Sequence, residues 1–371
     1  MLLLKNINQE NITMRILIDI NHPAHVHLFK HFTTDMEGKG HEIFFTTRKK
    51  DVAIDLLKQY GFKYKSFGNH YKSLWGKMWG FIKFDIMMLR EALKFKPDLY
   101  LTMGGMYASH VAFLLRKPHI ALDDTEHAKE HHMMYVPFST VCLTPTCFHK
   151  NFGEKQIFYK GWHELAYLHP KRFQGNSEIF KHLGIEQNQS YVIVRFVSWE
   201  ASHDLGQKGL TLQQKIELVH QLEKHTKVFI SSEGKIPKEL ESYRIKIAPH
   251  LMHDALAFAS LFVGEGSTMA SECACLGTPA IYINSLEVGY CTEQEEYGLV
   301  YNFRTPDGSI AKAMELIAQP NLKAETKLKQ EKMLSEKIDV TAFLVWFVEN
   351  YPQSIKIMKE NPDVQNQFIN E

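Results

Sequence analysis

The segment 263–284, VGEGSTMASECACLGTPAIYIN, constrains the fold of this chain most, because it reads as strand, turn, helix and strand in succession. An apolar strand precedes Gly264, and this glycine together with Gly266 allows the backbone to turn sharply. Ser267 or Thr268 can cap a helix that begins at the turn. The pattern predicts one unit of a parallel sheet, with a helix start at the carboxyl end of a strand.

The start of this helix has the chemistry of a phosphate site. Backbone N–H groups at a helix start lack partners within the helix, and the helix dipole places partial positive charge there. Glu272 follows Thr268 by one helical turn, so its carboxylate can lie on the same face and accept hydrogen bonds from sugar hydroxyls. Gly277 then ends the helix. The alternative is a glycine turn that serves packing alone, as in many α/β proteins.

Composition describes a globular protein with room for two domains of ordinary size. The 371 residues are 44% hydrophobic and 23% charged, which excludes disordered and collagen-like chains. The net charge of +1 gives no general attraction to nucleic acid, so we expect no nucleic-acid partner. The five cysteines form no CxxC pair, and a reduced, cytoplasmic compartment is therefore expected.

The first residues, MLLLKNINQENIT, differ from the rest of the chain. Their apolar run is too short for a secretory signal, and the chain has no apolar run of about 18 residues that would span a membrane. The first strand pattern begins only at Arg15. We expect residues 1–13 to be a disordered extension, or the result of an upstream start before Met14.

Strand and helix patterns alternate along the chain, which predicts parallel sheets with helices on both faces. We predict a doubly wound domain over residues 14–170, a hydrophilic linker over 171–190 and a second doubly wound domain over 191–338. Residues 339–371 are predicted to form a helical segment whose apolar part, AFLVWFVENY, needs a surface to cover it. Two such domains would face a central crevice at the carboxyl ends of their strands, where ligands of α/β proteins bind.

Three local expectations bear on the site. The first helix is predicted from about residue 25 to residue 37, after the loop 21–24. Residues 245–247 read as a strand, and residues 250–259 read as the helix that precedes the glycine turn.

The order of these elements resembles two groups of nucleotide-sugar enzymes, the GT-B glycosyltransferases and the UDP-N-acetylglucosamine 2-epimerases. In the epimerases a strand ends in the pattern D-S-G-G-x-x-E-E, and residues 265–272 (EGSTMASE) occupy its eight places. Residues 97–122, CLTPTCFHKNF and IFYKGW also follow in the epimerase order. The resemblance implies a GT-B-like fold of two Rossmann-like domains, with Gly266 and Ser267 at the diphosphate and Glu272 at the ribose.

A closer resemblance rests on three segments, IDINHPAHVHLFK, VRFVSWEASHD and GEGST. On these the chain is identified as a member of a bacterial and archaeal GT-B-like family labelled domain of unknown function 354.

The chain departs from the epimerases at two places. Their first-domain pattern H-V-E-A-G is replaced by residues 122–126 (LDDTE), and their H-R-x-E-N segment loses its histidine, with Val197 at or near that place and Glu200 retained. An epimerase must eliminate and re-add the nucleotide while a base exchanges a proton of the sugar. The loss of these groups favours transfer to an acceptor.

The loop and helix start NHPAHVH offer a candidate base. Inverting transfer needs a base that removes a proton from the acceptor hydroxyl, and a histidine with a pKa near neutrality suits this. We choose His25, because it opens the predicted helix toward the crevice, whereas His22 precedes a proline turn and His27 projects elsewhere. The alternative is that these histidines only bond the loop backbone.

Acidic residues end the apolar strand HIAL: Asp123, Asp124 and Glu126. Three acids so close are costly unless they are solvated or partnered. We predict Asp123 and Asp124 as catalytic residues that act as the base, orient His25 or bind acceptor hydroxyls; a solvated loop is the alternative. His127 and His131 share a helical face, but no third ligand is indicated, so we expect no metal.

The second domain offers further donor contacts. Arg195 follows the strand YVIV and can pair with a diphosphate, or with Glu200 or Asp204 for structure. His250 stands where this fold places contacts to the nucleobase, although a helix-capping role is open as well. The acidic run 292–295 is interpreted either as a sugar contact or as a solvated helix, with the solvated helix favoured.

The segment 58–96 combines lysines with aromatic and apolar residues, a composition typical of a helix on an anionic membrane surface. Packing of its apolar side into the core is the alternative. A membrane surface would suit a lipid-linked acceptor.

We therefore predict a nucleotide-sugar-dependent glycosyltransferase, inverting, in cell-surface or lipid-linked polysaccharide synthesis. Its donor is expected to be a UDP-linked sugar that binds as substrate, with no tightly bound cofactor, and its location the cytoplasm or the inner face of the membrane. Two alternatives remain: an epimerase-like enzyme or hydrolase that acts on the nucleotide sugar alone, and a non-catalytic nucleotide-sugar-binding module.

Overall fold

The computed structural model describes residues 13–48, 51–68, 74–197, 209–232 and 234–369, and for residues 51 and 74–79 it describes the backbone alone. Most of the predicted N-terminal extension, and Glu200 and Asp204, lie outside this part of the chain. The chain divides into two compact units. The first unit comprises the residues up to Asp123, Glu130–Leu143 and Phe152–Gln156; the second comprises Asp124–Lys129, Thr144–Asn151 and the residues from Ile157 onward.

The first seven strands form one sheet in the order β3-β2-β1-β4-β5-β6-β7, and the strand pairs from β3 to β6 are parallel. The strands are β1 (Arg15–Ile20), β2 (Glu42–Thr47), β3 (Tyr64–Ser66), β4 (Leu99–Met103), β5 (His119–Leu122), β6 (Val141–Pro145) and β7 (Gln156–Tyr159). The helices between them are α1 (Pro23–Gly38), α2 (Asp51–Gln59), α3 (Leu74–Phe95), α4 (Met106–Leu114) and α5 (Lys129–Tyr135).

The strand order reverses between β1 and β4 in the first unit. The chain proceeds from β1 outward to β2 and β3, then returns to β4 on the other side of β1, where Asp19 lies opposite Thr102. Ligands of open α/β sheets bind beyond the carboxyl ends of the strands at such a reversal. The loops after β1 and β4 are therefore the natural ligand edge of this unit.

The second unit contains a five-stranded parallel sheet in the order β12-β11-β10-β8-β9. Its strands are β8 (Tyr191–Phe196), β9 (Lys227–Ser232), β10 (Leu261–Gly264), β11 (Ala280–Ile283) and β12 (Val300–Phe303). Its helices are α6 (Leu165–Leu168), α7 (Ile179–Leu183), α8 (Leu212–Leu222), α9 (Met252–Phe258), α10 (Ser267–Leu276), α11 (Gly289–Glu296), α12 (Ser309–Ile317), α13 (Leu322–Leu334), α14 (Val340–Glu349) and α15 (Gln353–Glu360).

The strand order of this second sheet reverses between β8 and β10, where Arg195 lies opposite Gly264. The reversal thus falls at the glycine turn that the sequence singled out. One face of the sheet buries Val192, Val194, Val263 and Ile281 in a core that helices α8 and α12 complete. Burial of these strands explains why they read as continuous apolar runs.

The C-terminal segment is part of the second unit, and its apolar helix α14 packs against β7 and α6. The Phe343 ring lies 5.9 Å from the Tyr159 ring, nearly parallel to it. Thr341 donates a hydrogen bond of 2.7 Å to the Ala166 carbonyl. The predicted linker, residues 171–190, also belongs to this unit and contains α7, with Ile179 and Phe180 buried.

Some local predictions were wrong. Helix α1 begins at Pro23, two residues earlier than predicted, because proline suits the first helical position. Residues 245–247 form no strand; the nearest pairing is an isolated bridge between Ile230 and Arg244. The predicted helix 250–259 divides into a 3₁₀ turn, Pro249–Leu251, and the shorter α9.

Candidate functional site

The glycine turn of the second unit has the predicted layout with a different cap. Gly266 is the N-cap of α10, in an extended conformation, and no side chain caps the helix. Ser267 and Thr268 are the first two helical residues, so neither caps it as predicted. The first backbone N–H groups of α10 therefore have no capping side chain, as an anion-binding helix start requires. Gly277 ends the helix in the left-handed conformation, with φ of 71°, as predicted.

The two glycines of the turn have different reasons to be glycine. A Cβ on Gly264 would lie 2.7 Å from the Arg195 Cβ and 2.9 Å from the Arg195 carbonyl oxygen, so packing requires glycine there. A Cβ on Gly266 would meet nothing nearer than 3.7 Å, and its φ of −97° suits any residue. Packing thus accounts for the glycine at 264 and does not account for the glycine at 266.

Helix α11 holds one face of α10 through two matched hydrogen bonds. The Tyr290 hydroxyl donates to Ser267 Oγ at 2.8 Å, and Gln294 Nε2 donates to Ser271 Oγ at 2.6 Å. Both pairs are spaced by four residues, so one turn of α11 lies against one turn of α10. The Ser267 hydroxyl, which also interacts with the Tyr282 side chain, thus lies at the helix start between two tyrosines.

Arg195 lies beside this turn. Its Cγ would be 3.7 Å from a Cβ on Gly266, and its Nη1 donates to Ser231 Oγ on β9 at 2.7 Å. The predicted alternative partners, Glu200 and Asp204, lie outside the described residues. Arg195 therefore lies at the carboxyl end of β8, where the strand order reverses between β8 and β10.

Glu272 is buried and held by two aromatic side chains. The Tyr167 hydroxyl donates to its Oε1 at 2.9 Å, and His253 Nε2 lies 3.1 Å from the same atom. His253 comes from α9 and Tyr167 from α6, and their rings are 5.2 Å apart. His250, the residue predicted from the sequence, is half-buried in the preceding 3₁₀ turn; the structure instead brings His253 to Glu272.

Glu265 takes a structural position, although it occupies the first place of the epimerase-like pattern. Its carboxylate accepts hydrogen bonds from the backbone N–H of Val197 at 3.1 Å and of Leu210 at 2.8 Å, and Lys215 Nζ lies 3.2 Å away. Val197 and Leu210 flank residues 198–208. Glu265 thus bonds to the described residues on either side of this segment.

In the first unit, the histidines follow β1 at the ligand edge. His22 is the N-cap of α1, and its Nδ1 accepts a hydrogen bond of 3.2 Å from the Ala24 N–H. His25 is the third helical residue, and its Nδ1 lies 3.5 Å from the Asn21 N–H. The two rings are 5.9 Å apart. Both histidines therefore accept a hydrogen bond from the loop backbone, at a shorter distance for His22 than for His25.

Asp123 lies in a buried cluster at the end of β5 in the same unit. It is 3% exposed, its Oδ2 accepts a short hydrogen bond from the Tyr135 hydroxyl, and His132 Nε2 is 3.3 Å away. Burial lowers the pKa of the neighbouring His131, so this ring is neutral near pH 7. The solvated-loop alternative is excluded for Asp123.

Asp124 has separate surroundings, in the second unit. Its Oδ2 lies 2.9 Å from His163 Nδ1, so the predicted orienting carboxylate has a histidine other than His25 beside it. Glu126 accepts a hydrogen bond of 3.1 Å from the Gly289 N–H, and burial raises the pKa of its carboxyl. Consecutive acids of one loop thus contribute to two different clusters.

The acidic run on α11 is not a solvated helix, contrary to the favoured interpretation. Glu293 accepts a hydrogen bond of 2.6 Å from Trp162 Nε1 and forms an ion pair with Lys337. Gln294 is fully buried against Ser271. Only Glu295 and Glu296 are exposed.

Four side chains of these clusters were not predicted from the sequence: Tyr135, Tyr167, His163 and Tyr290. The first three follow strands at some distance along the chain, with no local pattern that marks them. The four-residue spacing shared by the pairs 267/271 and 290/294 is a signal that could have identified Tyr290.

Within the described ranges, no group of three or more His, Cys, Asp or Glu side chains is placed to hold a metal ion. Among the same residues, no helix combines the length and apolar character needed to cross a bilayer.

Several solved structures of nucleotide-sugar enzymes share the fold of this chain. One of them is a Staphylococcus aureus MnaA–UDP structure. Its superposition spans 93% of this chain and 98% of that chain (TM-score 0.67, 12% identity). Another is a Neisseria meningitidis UDP-GlcNAc 2-epimerase bound to UDP-GlcNAc. Its superposition spans 94% of this chain and 99% of that chain (TM-score 0.65, 13% identity).

A glycosyltransferase has the same architecture. The superposition with SsfS6, from Streptomyces sp. SF2575, spans 91% of this chain and 100% of that chain (TM-score 0.57, 12% identity). The predicted α/β, GT-B-like fold of two Rossmann-like parallel sheets is confirmed.

Sequence comparison identifies the family. An uncharacterized protein of Methanocaldococcus jannaschii is 26% identical over 282 residues, which are 73% of this chain and 82% of that protein. The profile of the family described as "Protein of unknown function (DUF354)" matches residues 14–351. The chain therefore belongs to the DUF354 family, as the three sequence segments indicated.

Proposed function

We propose that this protein is a nucleotide-sugar-dependent glycosyltransferase of the GT-B type. The observation that carries the proposal is the start of α10, where Gly266 is small without a packing reason and no side chain caps the helix. A diphosphate supplies the negative charge and the acceptor atoms that this helix start lacks. Support comes from the fold, which is shared with proteins whose structures hold UDP or UDP-GlcNAc.

The donor would be held by groups of the second unit. The N–H groups at the start of α10 and the Ser267 hydroxyl bind the diphosphate, and Arg195 adds a guanidinium beside them. Glu272 accepts hydrogen bonds from the ribose, since its Oε2 is not the atom that Tyr167 and His253 contact. His250 would contact the nucleobase.

Transfer would need a base for the acceptor hydroxyl. We assign this role to His25, because it lies in the first turn of α1, directly after β1 at the ligand edge of the first unit. The Asp123 carboxylate, fixed by Tyr135, would bind the acceptor and balance the imidazolium that forms. Asp124 would orient His163, a second proton-transfer group.

An epimerase-like enzyme or a hydrolase is the second candidate. The epimerase structure from Neisseria meningitidis has a higher TM-score, 0.65, than the SsfS6 glycosyltransferase, 0.57. The sequence departures at residues 122–126 and at Val197 count against it.

The first experiment is calorimetric titration with UDP. The wild-type protein is expected to bind UDP, and Glu272→Ala to abolish binding, because the ribose loses its acceptor. Glu296→Gln, an exposed neighbour on α11, should bind as the wild type does. If the folded wild-type protein binds neither UDP nor any other nucleoside diphosphate, the proposal is wrong.

The second experiment separates the two reactions. UDP-N-acetylglucosamine and other UDP-sugars are incubated with the protein without acceptor, and the sugar products are analysed. A transferase leaves the donor intact until acceptor is added, whereas an epimerase or hydrolase forms product at once. Binding with no reaction under either condition would indicate a non-catalytic module.

The acceptor is proposed to be a glycan or a lipid-linked sugar at the inner face of a membrane. Ile82, Ile86 and Leu93 are exposed along one face of α3, which supports a peripheral contact. All five cysteines are free thiols, in keeping with the expected reducing compartment.

A further inference from the structure

A buried carboxyl group lies beneath the glycine-turn helix. Glu164 is the N-cap residue of α6 and is 3% exposed. Its carboxyl group lies beside the Ser271 hydroxyl of α10. None of the donor contacts proposed above uses this residue, so its burial needs another explanation.

The surroundings of Glu164 are short of hydrogen-bond donors. Its Oε2 has no hydrogen-bond partner among the described residues, and the same holds for Oε1 of Gln294. Both side chains meet at the same Ser271 hydroxyl. A proton on Glu164 supplies the missing donor, whereas an ionised carboxylate would be buried with one oxygen unpaired.

The charges around Glu164 favour the same protonated state. Burial, followed by the negative charge of Asp124, raises the pKa of Glu164 to about 8, and His163 opposes this shift. The other titratable groups that interact with Glu164 are hydroxyls and thiols whose own pKa values burial raises well above their usual range: Tyr167, Cys275, Tyr290 and Cys291.

Ser271 connects this carboxyl to the helix start. Ser267 precedes Ser271 by one helical turn on the same face of α10. Tyr290 and Gln294 fix the two serines from α11. A charge on Glu164 would therefore stand one helical turn from the N–H groups that bind the anion, inside a buried and weakly screened region.

We propose that Glu164 controls anion binding at the start of α10 by its proton: the site binds a nucleoside diphosphate while this carboxyl is neutral and loses affinity when it ionises. The inference rests on the proposed function, because it concerns the same site. Glu164 is a positioning residue here, since it acts through Ser271 and through its field and does not touch the ligand.

Two consequences follow for binding. Above pH 8 the wild-type affinity for UDP should fall, by on the order of tenfold, because the ionised carboxylate repels the diphosphate. At pH 8 the binding of UDP should take up protons, because the bound anion favours the neutral carboxyl. UDP itself contributes little at this pH, since a terminal phosphate has its second pKa near about 6.

The experiment is UDP calorimetry from pH 7 to pH 9.5 on the wild type, Glu164→Gln and Glu296→Gln, with two buffers of different ionisation enthalpy at pH 8. Glu164→Gln keeps the size of the side chain and is neutral throughout. We expect this variant to keep its affinity up to pH 9.5 and to show no proton uptake. Glu296→Gln, exposed on α11, should behave as the wild type does.

A ligand-free measurement accompanies the titration. A carboxyl whose pKa is raised by folding makes the protein less stable as pH rises from about 4.5 to about 8, since the native state holds more protons than the unfolded state. The stability of Glu164→Gln relative to wild type should therefore increase over this range. Lys323, whose pKa burial lowers to about 8, is present in both proteins and cancels in the difference.

The outcomes separate the inference from the proposed function. If UDP binds and Glu164→Gln has the pH profile and proton uptake of the wild type, the inference is wrong and the proposed function stands. If neither protein binds UDP or inorganic pyrophosphate at any pH, both are wrong. Ser271→Ala should reduce the pH dependence without abolishing binding, and a full wild-type profile in this variant would contradict the coupling.

Discussion

The two sheets have ligand edges of different chemistry. In the first unit, the edge has titratable side chains: His25 follows β1, and Asp123 follows β5 with Tyr135 and His132 around it. In the second unit, the edge has a bare helix start beside Arg195. Groups of the first kind move protons, and groups of the second kind hold anions. Under the proposed function, this difference would give the binding of the acceptor mainly to the first unit and the binding of the donor to the second.

The largest effect is expected from Asp123→Asn. The amide keeps the shape but removes the charge, so transferase activity should fall by about 100-fold or more, while the affinity for UDP stays unchanged. Activity assays and calorimetry on the same protein check this. Glu37→Gln, an exposed acid on α1 in the same unit, is the control. A loss of UDP affinity in Asp123→Asn would contradict the division between the units.

The second prediction compares the same substitution at the two glycines. Gly264→Ser should lower the free energy of unfolding by about 1–3 kcal/mol, because its Cβ collides with Arg195. Gly266→Ser should leave stability within about 0.5 kcal/mol, since serine is a good N-cap, yet weaken UDP binding by about tenfold. Denaturation and calorimetry measure both. If Gly266→Ser binds UDP normally, the helix start is not the anion site.

The third prediction concerns pH and distinguishes the units by sign. Burial lowers the pKa of His119 in the first unit to about 3, so the native state there holds fewer protons than the unfolded state below pH 6.5. The first unit should lose stability as pH falls from 6.5, whereas Glu164 makes the second unit lose stability as pH rises toward 8. Hydrogen exchange of peptides from β5 and α10 measures the two trends. The same trend in both units would contradict the assignment.

The smallest effect concerns the surface. Most of the exposed large apolar side chains recorded for the described residues belong to the first unit. Ile82 and Ile86 are 58% and 44% exposed, and changing both to Glu should reduce sedimentation with phosphatidylglycerol vesicles by a few-fold. Leu328→Glu, at a site of the second unit that is 66% exposed, is the control. Unchanged sedimentation of the double variant would exclude α3 as the contact.

Several features of this protein could be read from the sequence because they depend on near neighbours. The alternation of apolar strands and amphipathic helices gave the two parallel sheets, and Gly277 ended α10 where predicted. The helix starts were less well predicted. Helix α1 begins at Pro23 and Gly266 is the N-cap of α10, whereas later residues were predicted at both places. Proline is favoured at the first helical position, and glycine is accepted as an N-cap.

The surroundings of the site residues could not be read in this way. Tyr167 and Glu272 are 105 residues apart in sequence, and Trp162 and Glu293 are 131 apart. No local spacing indicates such pairs. The acids after β5 looked equivalent in sequence, but the fold gives Asp123 a tyrosine and Asp124 a histidine.

By itself, then, the sequence determined the sheet architecture and the place of the glycine turn, because backbone turns, caps and apolar periodicity are properties of short segments. The tertiary structure alone decided that Gly264 serves packing while Gly266 does not, and that Glu164 lies beneath α10. Close contact and burial arise only when distant segments pack together, and burial sets both the space at a glycine and the charge of a carboxyl group.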